Sequence, residues 1–383
     1  MATHAGHHLA NFVCERRRAG VPTAVLHSAK RLLLNQLTAS ATAALLPAGA
    51  ALLQQASRAP GGEVRGAVTR LWWSQAQVPV AQAVAVHAQL LGMLDLGDTH
   101  LHSLGRFAAA IVPPLLAQAD IDAHEGCDVL EALALGLEVE IACAGPAWCG
   151  PPGLGAAVAR GILLGLEPAA LMATLAGLGG APAMADERCI GALQDLGGRW
   201  RLQDLALHCR PLPAQALAPV DAVLALRAQC QARRPRLMQL GVSAQAWLLL
   251  QAPSVADDLR RCMAAAWLMG RFTTDEQEPA CWDSPAARGL AAGIDLRPDP
   301  RVTGLEACSL TVHFEDGTSE STYLDAFLGS AAQPLSDSQL SELFRSAADD
   351  LVLPRRAGEI LHALWGLDLA PDSRVLTGLL RLA

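Results

Sequence analysis

Apolar residues recur at helical spacing through the first two-thirds of the chain, and small residues fill the positions between them. In Asp128–Cys143, Leu130, Leu133, Leu137 and Ile141 fall on one face, with Ala132, Ala134 and Gly136 beside them. That period predicts helix, and small side chains let helix backbones approach closely. The same pattern marks Val25 to Leu37 after Pro22, then Ala81–Leu94, Leu104–Gln118, Gly155–Leu164 and Pro168–Leu178. Pro113-Pro114 is expected to kink or break the Leu104–Gln118 helix. Gly145–Gly153, with Pro146, Pro151 and Pro152, suits neither helix nor central strand.

Only 4 % of residues are aromatic against 52 % hydrophobic, so the core is aliphatic. The length, 383 residues, fits about two domains. A formal charge of −8 argues against nucleic-acid or anionic-membrane partners. Leu71–Leu94 has no charged residue and is long enough to span a bilayer. It carries Ser74, Gln75, Gln77, Gln82 and Gln89, each costly in lipid, so it reads as a buried helix. Ten cysteines are scattered without a C-x-x-C pair, and the chain opens on polar, His-rich sequence. A cytoplasmic protein with reduced thiols and no metal site is the expectation. A single lysine, Lys30, and a single tyrosine, Tyr323, exclude chemistry that needs either group elsewhere.

After about Pro211 the pattern changes. Val220–Gln231 and Val255–Gly270 read as helices, and Leu237–Leu250 between them leans to β. Ser309–Phe314 and Ser319–Leu324 flank Asp316-Gly317, which predicts a hairpin. Ser336 and Gln339 form a capping-box pattern before the last helices. The expected fold is mainly α: a helical domain over 1–212 and 335–383, with a smaller α+β domain over 213–334.

The richest chemistry lies in Asp95-Leu96-Gly97-Asp98-Thr99-His100-Leu101-His102: two carboxylates, a hydroxyl and two imidazoles. Carboxylate and imidazole together support acid–base catalysis or metal binding. The same Asp98 and Thr99 serve equally well as caps for the next helix. His87 on its apolar helix reads as a core histidine, His124 as a surface residue and His313 as solvated. His208 and Cys209 read as a junction loop.

Leu94-Asp95-Leu96-Gly97-Asp98-Thr99-His100 resembles the L-D-F-D-D-T-H segment of the MmgE/PrpD family. That family includes 2-methylcitrate dehydratase, cis-aconitate decarboxylase and iminodisuccinate epimerase. Ala29-Lys30-Arg31 resembles its early A-K helix, and Asp128-Val129-Leu130 through Gly136 and Glu138 its D-L-L…G-Y-E-V helix. Gly153-Leu154-Gly155 resembles its glycine-rich helix start, Pro219-Val220-Asp221 the start of its second domain, and Leu310 to Gly317 its hairpin. The resemblance implies a large helical domain with an inserted α+β lid, usually in a homodimer. It also implies cofactor-free removal of water or CO2, or proton movement beside a carboxylate, on a small organic acid held between the domains.

Asp95 and Thr99 fall on the family's aspartate and threonine. Gly97 replaces its second aspartate, and its histidine shortly after the threonine falls on Gly105 or Arg106. Trp148 and Cys149 stand where another histidine is expected, the family lysine has no counterpart, and its lid tyrosine falls near Arg261. The expected catalytic residues are therefore Asp95, Thr99, His100 and His102, with Arg106, Trp148, Cys149 and Arg261 around the substrate. Such a pocket favours a substrate less charged than citrate-type acids, as in a specialised biosynthetic pathway. The alternative is a catalytically inactive homodimeric relic used for binding or as a scaffold.

Overall fold

A computed structural model describes residues 4–58, 66–144, 153–175, 177, 195–230 and 233–382. The chain is mainly α and divides into two compact units, Met1–Leu207 with Ser336–Ala383, and His208–Leu335.

The first unit opens with α1 (His4–Ala19), α2 (Thr23–Leu45) and α3 (Pro47–Ser57). The polar start gave no hint of α1, yet Leu9, Ala10 and Val13 on it are fully buried. Pro22 stands at the N-cap of α2, where its missing N–H costs nothing. Along α2, Leu33, Leu34 and Leu37 are fully buried. Lys30 on that helix donates to the Trp365 carbonyl at 3.0 Å and to Asp368 at 2.9 Å. The single lysine is thus a structural tie to the C-terminal helices.

Leu71–Leu94 is not one helix. It continues a hairpin of β1 (Val68–Arg70) and β2 (Gln77–Pro79), and α4 runs only over Val80–Gly92. Trp72 to Gln75 make the turn, closed by the Leu71 N–H donating to the Ala76 carbonyl, and Pro79 fixes the backbone angle that starts α4. After β3 (Asp98–His100), α5 (Ala108–Ile121) continues through Pro113 and Pro114 as one helix, so the expected break is absent. Then come α6 (Gly126–Cys143), α7 (Leu154–Leu163), α8 (Pro168–Leu175) and β4 (Leu205–Leu207).

Helices α6 and α7 meet glycine to glycine. A Cβ on Gly136 would sit 2.6 Å from the Gly155 carbonyl oxygen, and one on Gly155 would sit 2.4 Å from that of Gly136. Neither gap admits a side chain, so both positions require glycine. Leu130, Leu133 and Leu137 of α6 are fully buried. After the second unit, the first resumes with the helices Asp337–Ala348 and Pro354–Trp365. Ser336 and Gln339 make the expected capping box.

In the second unit, α9 (Ala214–Gln229) begins earlier than its pattern suggested and carries Pro219 within it. The β-leaning stretch splits into β5 (Pro235–Val242) and α10 (Ala244–Leu249), because the Ser243 hydroxyl accepts from Ala246 N–H and starts a helix. Next come α11 (Pro253–Met269), α12 (Pro285–Ala292), β6 (Ile294–Pro298), β7 (Cys308–Phe314) and β8 (Ser319–Leu324). The sheet order is β6-β5-β7-β8, with β5–β6 parallel and the other pairs antiparallel. Cys308, Leu310, Val312 and Phe314 point inward, and Thr311 and His313 alternate onto the other face.

Among the described residues no single helix is long and apolar enough to cross a membrane.

Candidate functional site

The segment from Asp95 to Phe107 folds back on itself. Strand β3 pairs antiparallel with β4, placing Asp98 opposite Leu207, Thr99 opposite Ala206 and His100 opposite Leu205. The chain then turns tightly: Leu104 N–H donates to the His100 carbonyl at 2.7 Å and His100 N–H to the Gly105 carbonyl at 2.9 Å. Leu104 takes a left-handed backbone angle, φ 58°, to close this turn.

The acidic residues here have separate tasks. Asp98 is 1 % exposed. Its carboxylate accepts from Gln36 Nε2 at 3.1 Å and from the Phe107 and Ala108 N–H groups at 3.0 and 3.2 Å. It therefore caps α5, where orphan N–H groups and the helix dipole favour an acid. Burial raises its pKa, and the amide donors and Arg106 oppose that rise. Asp95 is half-exposed and paired with Arg106 at 3.2 Å. Arg106 also donates to the Leu91 and Leu94 carbonyls at 3.3 and 2.8 Å, tying down the end of α4. A Cβ on Gly97 would lie 3.3 Å from both Arg106 Nη2 and Gln36 Nε2, a tight contact with the ends of two polar side chains.

The histidines are placed differently. His100 and His102 help line a cavity of about 660 Å³ with Ser103, Ile141, Ala142, Asp195, Arg199, Arg201 and Asp204. Asp95 and Arg106 do not line it. The His100 Nδ1 lies 2.8 Å from Ser103 Oγ, and its ring stands edge-on to that of His102 at 6.3 Å. Burial lowers the His100 pKa below the ordinary imidazole value, with Asp204 opposing. A half-buried, neutral imidazole is the protonation state that a general base needs.

Arg201 is fixed from behind. Fully buried Glu138 on α6 accepts from Arg201 Nη1 at 2.6 Å and from its backbone N–H at 2.7 Å. Burial raises the Glu138 pKa, and the Arg201 backbone and guanidinium oppose it. Arg199, more exposed, donates to Asp204 at 2.7 Å. A guanidinium so held presents a fixed fork suited to carboxylate.

The structure thus brings His100 and His102 together and sets Thr99, 3 % exposed, on the strand just before them. Arg261 lies on α11 in the second unit, half-exposed and 3.9 Å from Asp283. Trp148 and Cys149 lie outside the described residues. Sequence reading missed Arg199, Arg201 and Asp204, because only the β3–β4 pairing carries them to His100. Glu138 was visible only as part of a helix pattern. His124 is not a plain surface residue, since its Nε2 is buried without a hydrogen-bond partner. Cys209 lies in a loop where the second unit begins, as expected; its thiol donates to the Leu328 carbonyl at 3.6 Å, and burial pushes its pKa up to about 11. Among the described residues no three His, Cys, Asp or Glu side chains converge as a metal site.

These features define a mainly helical protein with an imidazole- and guanidinium-bearing cavity in its larger unit. Residues 7–183 match the MmgE/PrpD N-terminal domain, a match that supports membership in the MmgE/PrpD family. His100, His102 and Glu138 fall inside that match, while Arg199, Arg201 and Asp204 fall beyond it. No curated protein matches the sequence.

Proposed function

We propose that the chain is a lyase or isomerase of the MmgE/PrpD type, acting on an organic acid without a redox cofactor. The observation that carries this is the neutral His100 imidazole in a cavity whose Arg201 is locked by buried Glu138. In this reading Nδ1–H donates to Ser103 Oγ, 2.8 Å away, and Nε2 is the basic nitrogen. Arg201 holds the substrate carboxylate and stabilises the negative charge that develops when His100 removes the neighbouring proton. The same intermediate leads to proton return on the other face or, where the next carbon bears a hydroxyl, to loss of water. His102 and Thr99 act in support. In this reading residues 213–334 are the family's lid domain, and the protein works as a homodimer in the cytoplasm.

The test is solvent-deuterium exchange beside the carboxylate, followed by NMR across citrate-type acids, monocarboxylates and amino acids. Exchange with at least one class is expected, falling at least 100-fold in His100→Gln. Asp95→Asn is expected to retain most of it; loss in that variant alone moves the base to Asp95. The second reading, an inactive binding or scaffold subunit, is favoured by the engagement of Asp95 and Arg106 in tying the end of α4. Absence of exchange with every class would select it.

A further inference from the structure

The cavity's charges do not suit a polyanion. Two guanidiniums, Arg199 and Arg201, share it with two carboxylates, Asp195 and Asp204. Each guanidinium also has its own acid, Arg201 that of Glu138 and Arg199 that of Asp204. Counting Glu138 behind the wall, the described acidic and guanidinium groups sum to one negative charge. A di- or tricarboxylate entering here brings several negative charges and meets no surplus of positive ones. The wall toward α6 is apolar, formed by Ile141 and Ala142.

We propose, resting on the reading of this cavity as the reacting site, that its ligand is a zwitterion: a small amino acid with an apolar side chain. Its carboxylate pairs with the fixed fork of Arg201. Its ammonium group pairs with Asp204 and Asp195, Asp204 turning part of its hydrogen bonding from Arg199 to the ligand. Its side chain lies on Ile141 and Ala142. The carbon that carries both charged groups is then the one presented to His100, and its proton is the one removed. The imidazole takes that proton and the electron pair passes into the carboxylate held by Arg201. Return of a proton completes the cycle with atoms and electrons balanced.

The experiment is calorimetric titration of the full chain at pH 7 with norvaline, pentanoate, pentylamine and citrate. Norvaline is expected to bind at least tenfold more tightly than each of the other three. Asp195→Asn with Asp204→Asn makes the cavity cationic and is expected to reverse the order, citrate then binding more tightly than norvaline. Circular dichroism of this double variant checks its fold, and the wild-type ranking stands as a test without it. Equal or tighter binding of citrate or pentanoate to the wild type, or no binding of norvaline, overturns the proposal. If citrate both binds and exchanges its protons in a His100-dependent way, the charge argument falls while the acid–base reading survives. If norvaline binds without exchange, the reverse holds.

Discussion

The hairpin Cys308–Leu324 of the second unit and the Asp95–Phe107 segment of the first are both short, polar-flanked turns, but they are held together differently. The hairpin is local: β7 pairs with β8 from Cys308–Leu324 to His313–Ser319, and Asp316 accepts from Thr318 N–H at 2.9 Å across Gly317. The Asp95–Phe107 segment is held from a distance. Gln36 lies 62 positions before Asp98, and Leu207 pairs with it from far down the chain. Local chemistry therefore shows in a local pattern, whereas the site segment reveals its groups but not their tasks.

Substitutions make that difference measurable. The largest loss is expected for Asp98→Ala, which strands the Gln36 amide and the Phe107 and Ala108 N–H groups in the interior. A cost of about 3–5 kcal/mol in urea unfolding follows from stranding buried donors. A loss under about 1 kcal/mol would mean that the segment is held locally after all.

Next is acid sensitivity in the first unit. His87 is buried, stacked on Trp72 at 3.8 Å, and accepts from Trp72 N–H at 2.9 Å. Burial lowers its pKa from 6.5 to about 3. The unfolded chain gains this proton at a higher pH than the folded one, so the contribution is complete above pH 6.5 and is lost as pH falls from there toward 3. Between pH 6.5 and 5 the loss should be about 2 kcal/mol. His87→Gln should flatten that slope, as read from denaturation midpoints at each pH.

Smaller effects belong to the hairpin. Gly317 sits at φ 84°, so Gly317→Ala should cost about 1 kcal/mol. Thr311 Oγ1 and Ser321 Oγ lie 2.9 Å apart on an exposed pair, and Thr311→Ala should cost about 0.5 kcal/mol or less. Comparable losses at Thr311 and Asp98 would erase the contrast.

Much of the fold was legible. Helical periods in α6, the hairpin, the Ser336 capping box and the core placement of His87 all rest on neighbours close in sequence or on simple burial. Leu71–Leu94 was misread because a turn and a proline interrupt an apolar run without changing its hydropathy. In the site, His100 and His102 could be singled out as titratable groups beside carboxylates. That Asp98 is a helix cap and Asp95 an ion-pair partner of Arg106 was not decidable between equally plausible roles. Arg201 was invisible, because its meaning comes from Glu138, 63 positions earlier and at the bottom of a helix core.

The central claim is that His100, in its cavity, is the neutral base that meets the ligand. It is tested most directly by NMR titration of the histidine rings in the full chain, with His100 assigned by comparison with His100→Gln. The account predicts a His100 pKa below the 6.5 of an unperturbed imidazole and a change in its ring signals when norvaline is added. A His100 that titrates at or above 6.5, with signals indifferent to norvaline and to every acid tried, would contradict it.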